Sequence, residues 1–280
     1  MQQCIPRVVH QIWMQGKTVI PEKYTEARKS WTLHNPELTL QLWDEVDLQS
    51  LVKGTHWVSV LNLCEKLIQR ADVYRCAILE FQGGIYVDMD MHSLKSLEPL
   101  LQDLDSLEQD IALGYTSFQN TPLHSALACN NAWISSKPNS KVWKEKVYPE
   151  LLKRMHTRTL LDFLSPAWSI LRTAGPAAWT SLTQRYPTNI HALPREFFYS
   201  LKVIKGHSEL SPHDTTLLKH LSYCYHMQST SWLKSWESFL VYCFIGNNWK
   251  VTVGVLSLLV VWMVAKSSNI LRGLLNNKVP

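Results

Sequence analysis

Apolar and polar residues alternate along the chain in blocks that predict strands and helices in turn. In residues 7–13, Arg7 is followed by two valines and the segment ends in an Ile-Trp pair, which is typical of a buried strand, and a loop follows at Gly16. A helical pattern occupies about residues 25–35, and residues 38–43 alternate like a second strand. Strand, helix and strand joined by short loops predict an α/β fold.

The strongest helical pattern covers residues 61–81. Its apolar residues recur at close to helical spacing, at Leu63, Leu67, Val73, Ala77 and Phe81. Gly83 and Gly84 end this helix, and residues 85–87 predict a short buried strand.

Later segments continue the alternation. Residues 94–113 are acidic and Leu-rich, which predicts a surface helix or loop. A further segment spans residues 130–136, and helices are expected near residues 142–155 and 177–185.

The C-terminal part differs from the rest. Residues 251–265 are uncharged and mostly apolar, with Trp249 and Trp262 placed like interfacial anchors. As a helix they would span about 22 Å, less than the roughly 30 Å of a bilayer core. A short span, a re-entrant hairpin with residues 239–245 and a buried helix are all possible, and membrane attachment is favoured. The predicted organisation is therefore a catalytic domain (1–238), a hydrophobic membrane-associated segment (239–266) and a short polar, basic tail (267–280).

Composition narrows the class of protein. Hydrophobic residues make up 46% of the chain and charged residues 18%, which fits a folded core. The net charge is +5, but Lys and Arg form no long run, so a nucleic-acid partner is not expected. Six cysteines lie far apart without a C-x-x-C pair, which favours buried free thiols over a zinc or redox site. The first residues contain no apolar run typical of a signal peptide.

Asp88-Met89-Asp90 is the strongest candidate for chemistry. The two carboxylates follow the predicted strand 85–87, and in extended geometry positions i and i+2 project to the same side. Mg²⁺ and Mn²⁺ prefer such oxygen ligands together with substrate phosphates, and a cation there would stabilise a departing diphosphate. A D-x-D on a solvated turn is the ordinary alternative, but two unpaired carboxylates beside a buried strand are costly.

Asp72 and Arg75 lie three residues apart on the preceding helix and hence on one face. They could form a surface ion pair of little energetic value. They could instead bind a sugar, because an Asp accepts and an Arg donates hydrogen bonds to hydroxyl groups.

Several motifs in order resemble one family. They are residues 5–13, 70–75, 81–90, 131–138 and 173–176, followed by His226 and the pair Ser231-Trp232. Together they resemble the DXD-motif sugar transferases (glycosyltransferase family 32), which include the yeast initiating α-1,6-mannosyltransferase and the inositol-phosphoceramide mannosyltransferases. The resemblance covers roughly residues 5–236.

The resemblance implies a GT-A type fold, a Rossmann-like α/β domain that binds a nucleotide sugar. It implies retaining transfer of a hexose, with mannose favoured, from GDP-mannose or a UDP-hexose to a glycan or lipid-linked hydroxyl, with Mn²⁺ or Mg²⁺. The expected location is a membrane of the Golgi or endoplasmic reticulum, on a face that the sequence leaves open.

Carried onto matching positions, the family's roles fall into three groups. Asp88 and Asp90 are the expected catalytic residues that hold the metal, with His226 as a third ligand. The donor sugar would be bound by Asp72, Arg75 and Asn131, with Asn130 as an alternative to Asn131. The nucleotide would be bound by Trp13 and Trp232. The segment from His226 to Leu233 departs from the usual Gly-Ser-Ser-Trp-His-like stretch, so the subfamily stays open.

Two other functions are compatible with parts of the sequence. A catalytically silent, membrane-bound homologue could keep the fold and regulate a partner transferase, although it would have no need of an intact Asp88 and Asp90. A metal-dependent phosphohydrolase has less support, because no further Asp/His cluster supplies a second metal.

Overall fold

In a computed structural model of the chain, the described residues are 3–18, 20–116, 128–159, 162, 166–200 and 220–227. They all fall within one of the two units into which the chain divides. The strands are β1 (Val8–Ile12), β2 (Thr39–Trp43), β3 (Gly84–Val87), β4 (Met91–Ser93), β5 (Ile111–Thr116), β6 (Ala128–Ser136), β7 (Ile190–Leu193), β8 (Phe198–Ser200) and β9 (Cys224–His226). The helices are α1 (Glu22–His34), α2 (Glu45–Val52), α3 (Trp57–Leu61), α4 (Leu67–Gln82), α5 (Glu98–Asp105), α6 (Tyr148–His156), α7 (Pro166–Thr173) and α8 (Pro176–Arg185). A π-helical turn, Trp143–Val147, leads into α6, and a 3₁₀ turn, Arg195–Phe197, leads into β8.

A mixed six-stranded sheet forms the centre, in the order β2-β1-β3-β6-β5-β7. β1 runs parallel to β2 and β3, whereas β6 is antiparallel to both β3 and β5. A second sheet has the order β4-β9-β8. The α/β class expected from the sequence is confirmed by this mixture of strands and helices.

Buried side chains pack on both faces of the large sheet, because successive strand residues point to opposite sides. Tyr86 and Ile134 pack with α4, the π-helical turn, α6 and α8. Ile85 and Trp133 pack with Trp31 of α1, with α5 and with the small sheet. Each face therefore has its own core, and both cores include fully buried tryptophans, at Trp31, Trp57, Trp133, Trp143 and Trp179.

Several predicted elements are present with shifted bounds, and two predictions were wrong in part. The helix expected over residues 61–81 begins only at Leu67, as α4, since Leu61 ends α3 and residues 62–66 form a turn. Residues 94–113 are not a surface segment throughout, because α5 buries its leucines and Ile111 and Leu113 lie in the central sheet. In this segment the apolar residues were the better guide to burial, and the acidic residues were a poor guide to exposure.

The Gly83-Gly84 break is required by close approach of the backbone. Both glycines have positive φ, at 64° and 86°. A Cβ on Gly84 would lie 2.7 Å from the carbonyl oxygen of Val8, and one on Gly83 would lie 2.7 Å from the nitrogen of Pro138. Glycine therefore lets β3 begin tight against β1 directly after α4.

Cys76, Cys129 and Cys224 are buried free thiols as expected, whereas Cys4 is exposed. Within the described residues, no helix is both long and apolar enough to cross a bilayer. The hydrophobic segment 239–266 and the tail 267–280 lie outside the described residues.

Candidate active site

Asp88 and Asp90 lie where the chain passes from the large sheet to the small one. Asp88 follows the carboxyl end of β3, and its backbone N–H donates to the carbonyl of Ala132, at 2.9 Å. The backbone N–H of Met91 donates to the carbonyl of Asp88, at 3.1 Å, so residues 88–91 form a turn. The extended geometry expected for Asp88 and Asp90 was wrong, but the turn still brings the two carboxylates together.

His226 joins them from the far end of the described chain. β4 and β9 pair in antiparallel register with Met91 opposite His226, and the N–H of Met227 donates to the carbonyl of Asp90, at 3.0 Å. Strand pairing thus sets His226 Nε2 at 2.9 Å from Asp90 Oδ1. One ligand atom from each of Asp88, Asp90 and His226 lies within 4.8 Å of the others.

These three residues fit a divalent cation. Two carboxylates and an imidazole suit Mn²⁺ well, and the carboxylates also suit Mg²⁺. The Nδ1 atom of His226 is buried and has no hydrogen-bond partner among the described residues. Burial lowers the pKa of His226, but the hydrogen bond and charge of Asp90 and the charge of Asp88 outweigh this, so the pKa is raised overall. The same excess of negative charge that holds a proton on His226 would hold a cation.

Asp72 and Arg75 extend from α4 into the same site. Arg75 places one nitrogen 2.8 Å from Asp72 Oδ1 and another 3.1 Å from Asp88 Oδ1. Its side chain is 3% exposed and that of Asp72 is 5% exposed. The surface ion pair considered from the sequence is therefore wrong, because Arg75 is a buried link between Asp72 and the first carboxylate of the motif.

A bulge in β6 supplies the third member of this buried group. The pairing of β5 with β6 shifts between Leu113 and Gly114, which face Ile134 and Asn130 respectively. The intervening residues have no partner on β5, although Trp133 still pairs with Val87 of β3, and such bulges are common beside active sites. The carbonyl of Asn131 accepts from Arg75 at 2.5 Å, and its side-chain amide donates to Asp72 at 2.8 Å. Asn130 instead accepts from the backbone N–H of Ala132 and stabilises the bulge.

Burial sets the ionisation of Asp72. The pKa of Asp72 is raised to about 7, because desolvation together with the charge of Asp88 outweighs the lowering effects of Arg75 and of the amide of Asn131. A carboxyl group with such a pKa is partly protonated at neutral pH, so it can donate as well as accept hydrogen bonds. Both are needed to bind the hydroxyl groups of a sugar.

Comparison with known proteins bears on this geometry. Residues 21–107 match the family described as a glycosyltransferase sugar-binding region containing a DXD motif. These residues are similar to the DXD glycosyltransferase family. The predicted resemblance and the predicted enzyme class, a glycosyltransferase, are confirmed. The matched glycosyltransferase region contains Asp72, Arg75, Asp88 and Asp90, whereas Trp13, Asn131 and His226 lie outside it.

Three individual proteins are similar to parts of this chain. An uncharacterized glycosyltransferase of Acanthamoeba polyphaga mimivirus is 27% identical over 192 residues, covering 66% of this chain and 68% of that protein. Inositol phosphoceramide mannosyltransferase 3 of Schizosaccharomyces pombe is 33% identical over 99 residues, which is 35% of this chain and 27% of the yeast protein. Inositol phosphoceramide mannosyltransferase 2 of the same yeast is 31% identical over 202 residues, covering 71% of this chain and 52% of that protein. The match thus spans between about a quarter and a half of the length of these two yeast glycosyltransferases.

Among solved structures, the apo form of mouse xyloside xylosyltransferase 1 is similar with a TM-score of 0.49 and 13% identity, covering 80% of this chain and 98% of that one.

Tyr86 is a residue of the glycosyltransferase region that sequence reasoning missed. Its hydroxyl donates to Asp88 Oδ1 at 2.8 Å, and the guanidinium of Arg75 lies 4.4 Å from its ring centroid. Two donors therefore fix one oxygen of Asp88 and orient the carboxylate. The signal was present, because a residue two positions before Asp88 in a strand points to the same side of the sheet.

Of the two tryptophans predicted to bind the nucleotide, the structure describes only Trp13. Trp13 follows the carboxyl end of β1, which lies between β2 and β3 in the large sheet. Its backbone N–H donates to the carbonyl of Trp43 at 2.9 Å, and its ring centroid lies 5.3 Å from that of Tyr24. It is partly buried at the carboxyl end of a parallel strand, where ligands of open α/β sheets commonly bind. Trp232 lies outside the described residues.

Proposed function

We propose that the chain transfers a hexose from a nucleotide sugar to a hydroxyl group of a glycan or lipid-linked acceptor, assisted by Mn²⁺ or Mg²⁺. The main support for the proposal is that Asp88 belongs both to the candidate metal site and to the buried group around Arg75. Asp88 is one of three clustered metal-ligand candidates, and it is also ion-paired to Arg75 of the buried group with Asp72 and Asn131. A diphosphate and the sugar attached to it would need adjacent sites of these two kinds.

In this proposal the residues divide the work of one reaction. Asp88, Asp90 and His226 would hold the cation, which when bound supplies positive charge for the departing diphosphate. Asp72, Arg75 and Asn131 would hold the hexose by hydrogen bonds to its hydroxyls. Tyr86 and Arg75 would keep Asp88 in place throughout, so that little reorganisation accompanies bond breaking.

The finer features are proposals of the same kind. We propose a GT-A type fold and transfer with retention, in which the acceptor hydroxyl attacks from the face that the diphosphate leaves. Mannose from GDP-mannose is the favoured donor, since two of the relatives are named inositol phosphoceramide mannosyltransferases, and a UDP-hexose is the alternative. Trp13 and Trp232 would contact the nucleotide base.

A membrane location fits a lipid-linked acceptor. We propose attachment through residues 239–266 at membranes of the endoplasmic reticulum or Golgi. The catalytically silent alternative gains no support, because Asp88 and Asp90 are both present and lie with His226 as candidate metal ligands. A two-metal phosphohydrolase also gains none, because the described residues contain no second cluster of three metal-ligand candidates.

The test is an assay of the full chain with a panel of GDP- and UDP-sugars and Mn²⁺ or Mg²⁺. We expect metal-dependent hydrolysis or transfer with one class of donor, lost on chelation and lost in Asp90→Asn. Asp103→Asn, an exposed residue on α5, is the matched control and should behave like the wild type. Absence of turnover with every donor, together with absence of metal-dependent nucleotide binding, would overturn the proposal.

A further inference from the structure

The net positive charge of the chain is concentrated in one helical segment. Residues 141–158 contain six Lys or Arg residues and two Glu, so they account for +4 of the total charge of +5. The segment comprises the π-helical turn and α6 with their immediate flanks. Its four lysines form what we call the α6 basic face, Lys141, Lys144, Lys146 and Lys153.

The arginines of this region form ion pairs, whereas its lysines do not form them with any described residue. Arg154 and Arg185 both pair with Glu150, at 2.8 and 3.2 Å, and Arg158 pairs with Glu65. The four lysines of the α6 basic face form no ion pair with any described residue, and all but the partly buried Lys146 are exposed. The arginines therefore hold the segment in place, whereas Lys141, Lys144 and Lys153 are exposed and Lys146 lies with its Nζ 5.5 Å from the ring centroid of Tyr186.

The segment is also one-sided. Trp143, Val147, Leu151 and Met155 are buried in the core on its inner side. The charged residues between them are exposed or partly buried. The lysines are thus fixed on a packed helix rather than on a loose tail.

A chain of contacts links the end of this segment to α4. Arg158, just beyond α6, pairs with Glu65, whose backbone N–H is bound by Gln69 in the first turn of α4. Asp72 lies five residues after the first residue of α4, which is about 8 Å along the helix axis. The segment that follows α6 is therefore tied through Glu65 to the start of α4, the helix that carries Asp72.

We propose that the α6 basic face docks on a membrane surface rich in anionic lipids. Several lysines on an amphipathic helix are the usual means of such attraction, which is diffuse and needs no fitted pocket. Nucleic acids are recognised more by arginine forks and stacked aromatic rings, but the arginines here are held by carboxylates. The aromatic residues Trp143 and Tyr148 are packed inward, with Tyr148 against the ring of His56 at 4.6 Å. The inference is independent of which sugar the chain transfers.

A binding experiment with the full chain tests the surface. Lys144→Gln/Lys153→Gln removes two charges from the α6 basic face, and Lys29→Gln/Lys53→Gln removes two exposed charges elsewhere. We expect the first double variant to bind vesicles of phosphatidylcholine and phosphatidylserine roughly tenfold or more weakly than the wild type, because each lysine near such a surface adds to binding. The second should bind like the wild type, all three should bind phosphatidylcholine vesicles equally, and all three should have the same melting temperature.

A second measurement reads the contact itself, because residues 239–266 could hold the chain on vesicles whatever this face does. Lysines of the wild type are modified with an amine-reactive reagent, with and without anionic vesicles, and each site is quantified by mass spectrometry. Lys141, Lys144 and Lys153 should be protected by the vesicles, while Lys29 and Lys53 should not. Equal protection of all five lysines, or protection of none, would overturn the proposal, as would equal weakening of both double variants.

Discussion

Two arginines in this molecule each bind two carboxylates, and they do so in opposite surroundings. Arg7 pairs with Glu98 and Asp105 near the surface, at 2.7 and 2.8 Å. Arg75 pairs with Asp72 and Asp88 in the interior, at 2.8 and 3.1 Å. The residue types and distances are alike, so the difference between the two groups comes from burial.

Hydrogen bonding separates them further. All three nitrogens of the Arg7 guanidinium donate hydrogen bonds, to Glu98, Asp105 and the carbonyl of Ile5. The Nε atom of Arg75 is buried without a hydrogen-bond partner in the described part of the chain. The Arg7 guanidinium is therefore fully hydrogen-bonded near the surface, whereas the Arg75 guanidinium keeps one buried donor without a partner among the described residues.

The pKa values of the carboxyls follow the same division. The hydrogen bond from Arg7 lowers the pKa of Glu98. Burial raises the pKa of Asp72 to about 7 despite the facing Arg75. Charge held in the interior at a cost to stability is typical of functional sites, whereas the surface group needs no such explanation.

The largest difference in activity is expected between the variants Arg75→Lys and Arg7→Lys. Arg75→Lys keeps a positive charge but loses the planar fork that reaches both Asp72 and Asp88. We expect transfer to fall by about 100-fold or more, as for loss of one preorganised donor in other active sites. Arg7→Lys should leave kcat unchanged and lower only the melting temperature. Steady-state kinetics on both variants decide this, and equal losses of activity would remove the distinction between the two groups.

A smaller effect is expected at Tyr86, which supports the Arg75 group. Tyr86→Phe removes the hydroxyl that orients Asp88 but keeps the ring under Arg75. Loss of a group that orients a metal ligand commonly costs roughly tenfold to a hundredfold in metal affinity. A titration of activity with Mn²⁺ should show a raised half-saturation concentration, with Tyr115→Phe as the control. A normal Mn²⁺ requirement in Tyr86→Phe would show that Asp88 is held without its help.

The smallest effect concerns stability and pH. The pKa of Asp72 is raised in the folded chain, so the folded state retains a proton that the unfolded state has lost. This group therefore lowers stability as the pH rises from about 4 to about 7. The pKa of Glu98 is lowered, so its contribution is present above the unfolded pKa and is lost as the pH falls through the folded pKa.

Thermal melts across this pH range test those signs. Relative to the wild type, Asp72→Asn should gain in melting temperature on going from pH 4 to pH 8, by a few degrees at most. Glu98→Gln should change in the opposite direction, losing a little stability at neutral pH. An Asp72→Asn variant whose melting temperature runs parallel to that of the wild type would contradict the assigned pKa.

Much of the site followed from local sequence signals. The D-x-D after an apolar run, the spacing of Asp72 and Arg75, and the Gly-Gly break are all short-range patterns. They located the loop after β3 and the face of α4 correctly. Extended geometry was nevertheless the wrong basis for bringing Asp88 and Asp90 together, because a turn does so.

What could not be read locally depends on long-range pairing. His226 reaches Asp90 only because β9 pairs with β4 across more than 130 positions of sequence, and it was suggested by family resemblance alone. The bulge that turns Asn131 toward Asp72 arises from a shift in the pairing of β5 and β6, which periodicity cannot reveal. The burial of Arg75 likewise follows from packing between α4 and the large sheet.

The central claim is that Asp88, Asp90 and His226 bind a divalent cation that engages the donor nucleotide. Electron paramagnetic resonance of free Mn²⁺ measures this directly, because the signal of the hydrated ion falls as the ion binds protein. In the presence of GDP or UDP, the full chain should bind Mn²⁺ at one site, and Asp90→Asn and His226→Ala should each weaken that site by roughly tenfold or more. Asp103→Asn should bind like the wild type. Unchanged Mn²⁺ binding in Asp90→Asn and His226→Ala would contradict the account.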